Sequence, residues 1–234
     1  MRVALLHHRP ADGPGRIDDW LAWRGLPSQR YPLYRDARLP SLDDFDLLVL
    51  LGGPPEATAS AALPWLDAER RLLEASLGAG KRVLGLGFGA RLVAEALAAK
   101  VRPLGERRIG WWPLQLHEHA QRSPLGRMLP PRLMSLLWQA EGFELPAGAV
   151  PLYGAAAWDC LDFVWRERVV ALQGHPHGDA AWLEARLAAY ADELHGGASV
   201  QDAGTLRLGL AGSRGGNSLD RILDYLSGPH ATLR

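Results

Sequence analysis

Five apolar residues in a row, Leu-Leu-Val-Leu-Leu at positions 47–51, end abruptly in Gly52-Gly53-Pro54-Pro55. A strand with one face in water alternates apolar and polar side chains. A continuous apolar run leaves no face for water, and its stop at Gly-Gly predicts a strand buried on both faces, as in a parallel sheet. Neighbouring segments fit that sheet. Residues 3–6, 29–33 and 82–86 read as strands, and residues 17–23, 63–77 and 91–99 have helical spacing. The order β-α-β-β-α-β-α predicts a doubly wound α/β fold.

The second half changes character. Short strand-like runs at 109–116, 134–139, 149–153, 160–165 and 169–173 have little helix between them. They predict an antiparallel or mixed extension of the sheet. Helices are expected at 182–194 and 218–226, with a long, mobile Gly- and Ser-rich loop over Gly196–Asn217. The expected class is three-layer α/β, flavodoxin-like, with a mostly parallel sheet. No internal repeat or linker interrupts residues 1–234, so a single domain is expected.

Charge narrows the partners. With 26 basic and 26 acidic residues the formal net charge is 0, which gives no electrostatic reason to expect nucleic acid or an anionic membrane. Cys160 is the one cysteine, so no intramolecular disulfide forms and a reducing compartment fits. The apolar run at 3–6 is too short for a signal segment. No stretch approaches the roughly 18 apolar residues of a membrane span. A cytoplasmic protein is expected.

Residues 83–94, "VLGLGFGARLVA", pass from a buried strand through Gly85-Leu86-Gly87-Phe88-Gly89 into a helix. Many α/β enzymes carry a nucleophile on such a turn, yet this one has no Ser, Cys or Thr. It also lacks the G-x-G-x-x-G spacing of a dinucleotide loop and comes late in the chain for one.

Together these pieces resemble the class I glutamine amidotransferases, the family typified by GMP synthetase. The resemblance covers nearly the whole chain. "DLLVLLGGPPEA" with "LPWLDAERRLL" is similar to the family's Gly-Gly-Pro loop and following helix, and "KRVLGLGFGARLVAEALAAKV" to its nucleophile elbow. "IGWWPL", "LWQAEGFELPAGA" and "VVALQGHPH" resemble three later blocks in the same order. The resemblance implies amide hydrolysis through a thioester: a Cys attacks, a His moves the proton, and a Glu two residues later orients that His. It implies ammonia delivery to a synthetase domain or subunit. It also implies an oxyanion hole of backbone N–H groups, here Gly52, Gly53 and Phe88.

Carried over residue by residue, the chemistry is depleted. Gly87 stands at the Cys position, His175 at the His position and His177 at the Glu position. Arg91 replaces the elbow's Gln, Gly174 the Phe before the His, and Trp138-Gln139-Ala140-Glu141 a block that usually reads Trp-His-Gly-Asp. The elbow backbone is strained for any residue with a side chain, by about 1–3 kcal/mol. Glycine removes that strain, so Gly87 suits a retained fold with abandoned chemistry. Arg91, in the first turn of the following helix, is a candidate for a carboxylate or phosphate or for pairing with a nearby acid. Gly110 and Trp111, followed by Trp112, are expected at the pocket wall or in packing. Cys160 reads as a small buried residue. His175-x-His177 and the pair His117 and His119 around Glu118 are open to metal ligation, but the expectation is no metal and no cofactor. His7 and His8 end the first strand, where α/β sheets bind ligands.

Three readings follow. The first is a pseudoenzyme that binds a small anionic ligand or a partner protein. The second is an enzyme of altered chemistry built on His175 and the oxyanion-hole loop. The third is an amidotransferase subunit completed by a synthetase partner. Homo-oligomerisation is left open.

Overall fold

The computed structural model describes residues 1–53, 63–155, 162–195, 197–212 and 215–228. Its first half alternates strand and helix: β1 (Val3–His7), α1 (Arg16–Arg24), β2 (Ser28–Pro32), α2 (Leu33–Asp36), β3 (Leu47–Leu50), α3 (Leu66–Gly78), β4 (Arg82–Leu86) and α4 (Phe88–Ala96). The second half holds β5 (Val101–Leu116), β6 (Arg132–Phe143), β7 (Ala149–Pro151), β8 (Tyr153–Gly154), β9 (Asp162–Trp165), β10 (Val169–Leu172), α5 (Ala180–Ala189), α6 (Ala203–Gly212) and α7 (Gly215–Ser227).

The main sheet runs β2-β1-β3-β4-β10-β9-β7. Its first five strands are parallel, and β9 and β7 extend it antiparallel. The parallel part has the 2-1-3-4-5 order of flavodoxin-like folds. Period-2 side-chain alternation explains why continuous apolar strands are needed. Leu47 and Val49 pack with α1 and α7 (Ile17, Trp20, Leu223). Leu48 and Leu50 pack on the other face with α3 and α4 (Leu66, Leu73, Val93). The result is three layers, helix on sheet on helix.

Glycine lets α4 sit close to the sheet. A Cβ on Gly89 would lie 2.2 Å from the carbonyl oxygen of Leu50, and one on Gly85 2.6 Å from that of Gly89. Two of the glycines in "GLGFG" thus serve packing of a helix onto strands.

Two sequence expectations need refinement. The antiparallel strands do not all extend the main sheet: β6-β5-β8 form a separate three-stranded sheet. Its long ribbon starts at Val101, with a register shift between Pro103 and Arg108. That irregularity hides the first half of β5 from a periodicity argument. The other is a correction. The Gly196–Asn217 stretch is not one long loop, because α6 occupies Ala203–Gly212 and α7 begins at Gly215. Asp202 accepts the Thr205 N–H at 2.9 Å as a helix cap, and Leu206 is fully buried. The Asp-x-x-Thr spacing before an apolar residue was the overlooked signal. Cys160 lies outside the described residues.

Candidate functional site

The C-terminal ends of β3, β4 and β10 converge on a small cleft, the usual ligand position in such sheets. Its interior is about 40 Å³, room for a few water molecules. Gly53, Gly87, Phe88, Trp138, Gln173 and His175 line it, together with the charged side chains of Arg91, Glu141 and Arg186.

Gly87 links β4 to α4 with φ 55° and ψ −109°. Its N–H donates to the Leu172 carbonyl at 2.8 Å, which ties the elbow to β10. As N-cap of α4 it supplies no side-chain cap, so the helix's first amides face the cleft side uncapped by this residue. A Cβ at Gly87 would lie 2.6 Å from His175 Cε1. The imidazole therefore crowds the place where an elbow side chain would begin. Gly87→Ala is expected to lower folding stability by at least about 1–3 kcal/mol from backbone strain alone. The ring contact adds to that loss. A urea titration checks it: the midpoint should fall at constant m, and an unchanged midpoint would contradict the geometry.

His175 is fixed by its main chain. Its N–H donates to the Leu136 carbonyl at 2.8 Å. Its ring packs 5.0 Å from Trp182 and 5.5 Å from His177. Neither ring nitrogen of His175 or His177 makes a side-chain hydrogen bond, although the Trp138 backbone lies close enough to His175 to favour its charged form slightly. Burial, then the Arg186 guanidinium and then His177 hold His175 well below the ordinary imidazole range. Burial and Arg186 push His177 down to about 3. Both rings are neutral at physiological pH. A triad's acid would raise the pKa of its histidine; here a cation stands nearby and acts in the opposite direction. The main chain of residue 177 has a structural task of its own. Its carbonyl accepts the Arg16 N–H at 2.9 Å at the start of α1, and the glycine at position 15 leaves room for that contact.

Arg186 is 3% exposed, ion-paired with buried Asp12 and enclosed by Trp138, Trp182 and Tyr190. Tyr190 also donates to Asp12 at 2.8 Å. Arg91 pairs with Glu141 and lies 3.7 Å from Glu95, with its guanidinium over the Phe88 ring. Of the two roles open to Arg91, pairing with an acid is the one seen. Both arginines of the cleft thus arrive with carboxylates.

Most expected residues meet here: Gly53, Gly87, Phe88, Arg91 and His175 line the cleft, and His177 meets His175 edge to face. Gly52 sits at the edge, its carbonyl bonded to His8. Gly110 and Trp111 do not line the cleft. Trp111 N–H bonds Gln201, and its indole N–H donates to the Leu206 carbonyl at 2.8 Å, so this pair anchors α6. Trp138 takes the wall position instead. His117 and His119 meet edge to face, with ring centroids 4.9 Å apart, at the start of a short helical turn. Among the described residues no group of three or more His, Cys, Asp or Glu side chains could hold a metal. Sequence reasoning missed Asp12, Gln173 and Arg186. The clue for Arg186 was its place four residues after Trp182 on the apolar face of "AAWLEARLAAY".

No protein-family model matches the chain. Over 129 residues it is 34% identical to the glutamine amidotransferase-like protein YfeJ of Salmonella typhimurium, a match covering 53% of this chain and 54% of that protein. The alignment therefore spans about half the length of that relative. The whole chain shares its fold with a glutamine amidotransferase of Thermotoga maritima: TM-score 0.83, 24% identity, 100% of this chain and 99% of that one. It also resembles the solved protein SMU.1228c, with TM-score 0.89, 25% identity and 97% and 100% coverage. The resemblance to class I glutamine amidotransferases thus holds in fold and in part of the sequence. Among the described residues no helix is long and apolar enough to cross a membrane.

Proposed function

We propose, for a chain that is glutamine amidotransferase-like in sequence and fold, that glutamine hydrolysis has been lost and the cleft serves binding or contact with a partner protein. One observation carries this reading: the His175 ring crowds the side-chain position at Gly87, its Cε1 2.6 Å from where a Cβ would sit. Gly87 has no side chain to attack a carbonyl. In another hydrolase, loss of the nucleophile costs about six orders of magnitude in turnover. The acid's place holds neutral His177. The reading treats residues 1–234 as one domain, with Gly53 and Gly87 from the first half meeting His175 and Arg186 from the second. A small anion entering the cleft would compete with Glu141 for Arg91. A cytoplasmic location fits the single cysteine.

The test is direct. Incubation with glutamine should release no ammonia above buffer, and a glutamine-analogue electrophile should leave the intact mass unchanged. Stoichiometric labelling at any residue would sink the proposal.

A second reading keeps catalysis on another substrate. It is favoured by a neutral His175 facing a helix start in the cleft. It requires that His175→Ala abolish some turnover while the fold persists. A thiol lent by a partner has less support, because it must come within about 3–3.5 Å of the reacting carbon. The His175 ring already stands at the elbow.

A further inference from the structure

His8 directly follows β1 and is 1% exposed, and Glu69 on α3 is fully buried. His8 Nε2 lies 2.8 Å from Glu69 Oε1. Its Nδ1 lies 2.9 Å from the Gly52 carbonyl oxygen and 3.1 Å from that of Leu51. Carbonyl oxygens only accept, so Nδ1 must carry a hydrogen and donate it. The Glu69 carboxylate facing Nε2 favours a second hydrogen there. Burial, the largest single influence, works against a charged ring, but the Glu69 charge and hydrogen bond, the Gly52 carbonyl and Asp12 together outweigh it, and His8 is raised above the ordinary imidazole range. That direction favours hydrogen on both nitrogens of a ring held by α3 on one side and bonded to the Gly52 loop on the other.

The peptide between Gly52 and Gly53 is planar and trans, so its carbonyl and N–H point in opposite directions. Fixing the Gly52 carbonyl on His8 therefore fixes the Gly53 N–H on the side away from His8. Gly53 lines the cleft. Its Cα is pressed by the Phe88 ring, which would lie 2.7 Å from a Cβ there.

We propose that the Glu69–His8 pair is a positioning device for the cleft: by holding the Gly52 carbonyl it presents the Gly53 N–H to an acceptor oxygen of the bound ligand. This rests on the reading of the cleft as a binding site. Stability alone does not explain the pair. A buried ion pair is often matched or bettered by apolar residues of similar volume. Two consecutive glycines, by contrast, leave a loop with wide conformational freedom unless something outside it fixes a peptide plane. His8 and Glu69 are positioning residues in this scheme. Neither touches the ligand.

Two NMR measurements on the full chain test it. Side-chain nitrogen spectra of His8 in the wild type should show hydrogen on both nitrogens at neutral pH. A neutral ring without hydrogen on Nδ1 overturns the proposal. Residual dipolar couplings then report the direction of the Gly53 N–H. In His8→Leu/Glu69→Leu the fold should persist with an equal or higher urea midpoint. The Gly53 N–H should reorient there while the Phe88 N–H stays. Glu69→Gln, which still partners Nε2, should keep the wild-type direction. An unchanged Gly53 direction in the folded double variant overturns the proposal, and if that variant does not fold, the wild-type His8 spectrum decides. Neither measurement reads ammonia or labelling, so failure here is distinct from failure of the non-hydrolytic reading.

Discussion

Between pH 7 and pH 5 the protein should lose about 2 kcal/mol of folding stability through His177 alone, and His177→Leu should remove that loss. The ring is fully buried beside Trp182, and burial with Arg186 sets its folded pKa at about 3. An unfolded histidine titrates near 6.5. The unfolded chain therefore binds a proton through a range in which the folded one does not. A group with a depressed folded pKa gives stability that is complete above pH 6.5 and is lost as pH falls toward 3. The full gap is worth about 5 kcal/mol, an appreciable part of a typical domain's stability. His175 acts in the same direction. Leucine neither titrates nor leaves buried ring nitrogens unbonded, so the variant should match or exceed the wild type at pH 7. Urea midpoints at pH 7 and pH 5 decide the matter. A wild-type-minus-variant difference that does not change with pH would mean that His177 takes up its proton in the folded state.

Asp162 is expected to push the other way. Its carboxylate, buried at the start of β9, accepts at 2.9 Å the N–H of Gln173, which follows β10 two residues before His175. Burial raises its folded pKa to about 7, against the lowering effect of the Gln173 and Gly174 amides. The folded chain holds this proton between about pH 4 and pH 7 where the unfolded chain has lost it. Stability from Asp162 is thus complete below pH 4 and is lost as pH rises through 7, by about 4 kcal/mol in all. Asp162→Asn keeps an oxygen acceptor without the charge. It should be more stable than the wild type at pH 8 by up to about 4 kcal/mol and nearly equal at pH 4. Thermal or urea unfolding of the pair at both values checks this. Equal stabilities at pH 8 would place the ionised carboxylate in a solvated setting. Because the two titrations oppose each other over one window, the wild-type profile should be flatter than either variant reveals alone.

Local pattern carried much of the fold. Unbroken apolar runs at 47–51 and 82–86 specify strands that need helices on both faces, and the layers around Leu48 and Val49 meet that need. The elbow was legible because a strand, a glycine turn and a helix lie in one contiguous stretch. What stayed hidden was held by long-range pairing. Asp12 and Arg186 are 174 residues apart, and His8 and Glu69 are 61 apart. No periodicity in a window of a dozen residues encodes which charge will meet which. Which of its two readings Trp111 would take, pocket wall or packing, stayed open for a related reason. An indole next to a pocket-like glycine looks the same in sequence whether it faces a cavity or a helix, and α6 was itself unseen.

The bond from the residue-177 carbonyl to the start of α1 bears on how such a site changes over time. The fold asks only for a peptide oxygen at that position, which every amino acid supplies. The side chain there can be exchanged while the joint between loop and helix persists. An acid and an imidazole then offer the same peptide oxygen to this joint, one with an anionic and the other with a neutral side chain. Chemistry at this corner can change while the joint between loop and helix stays the same.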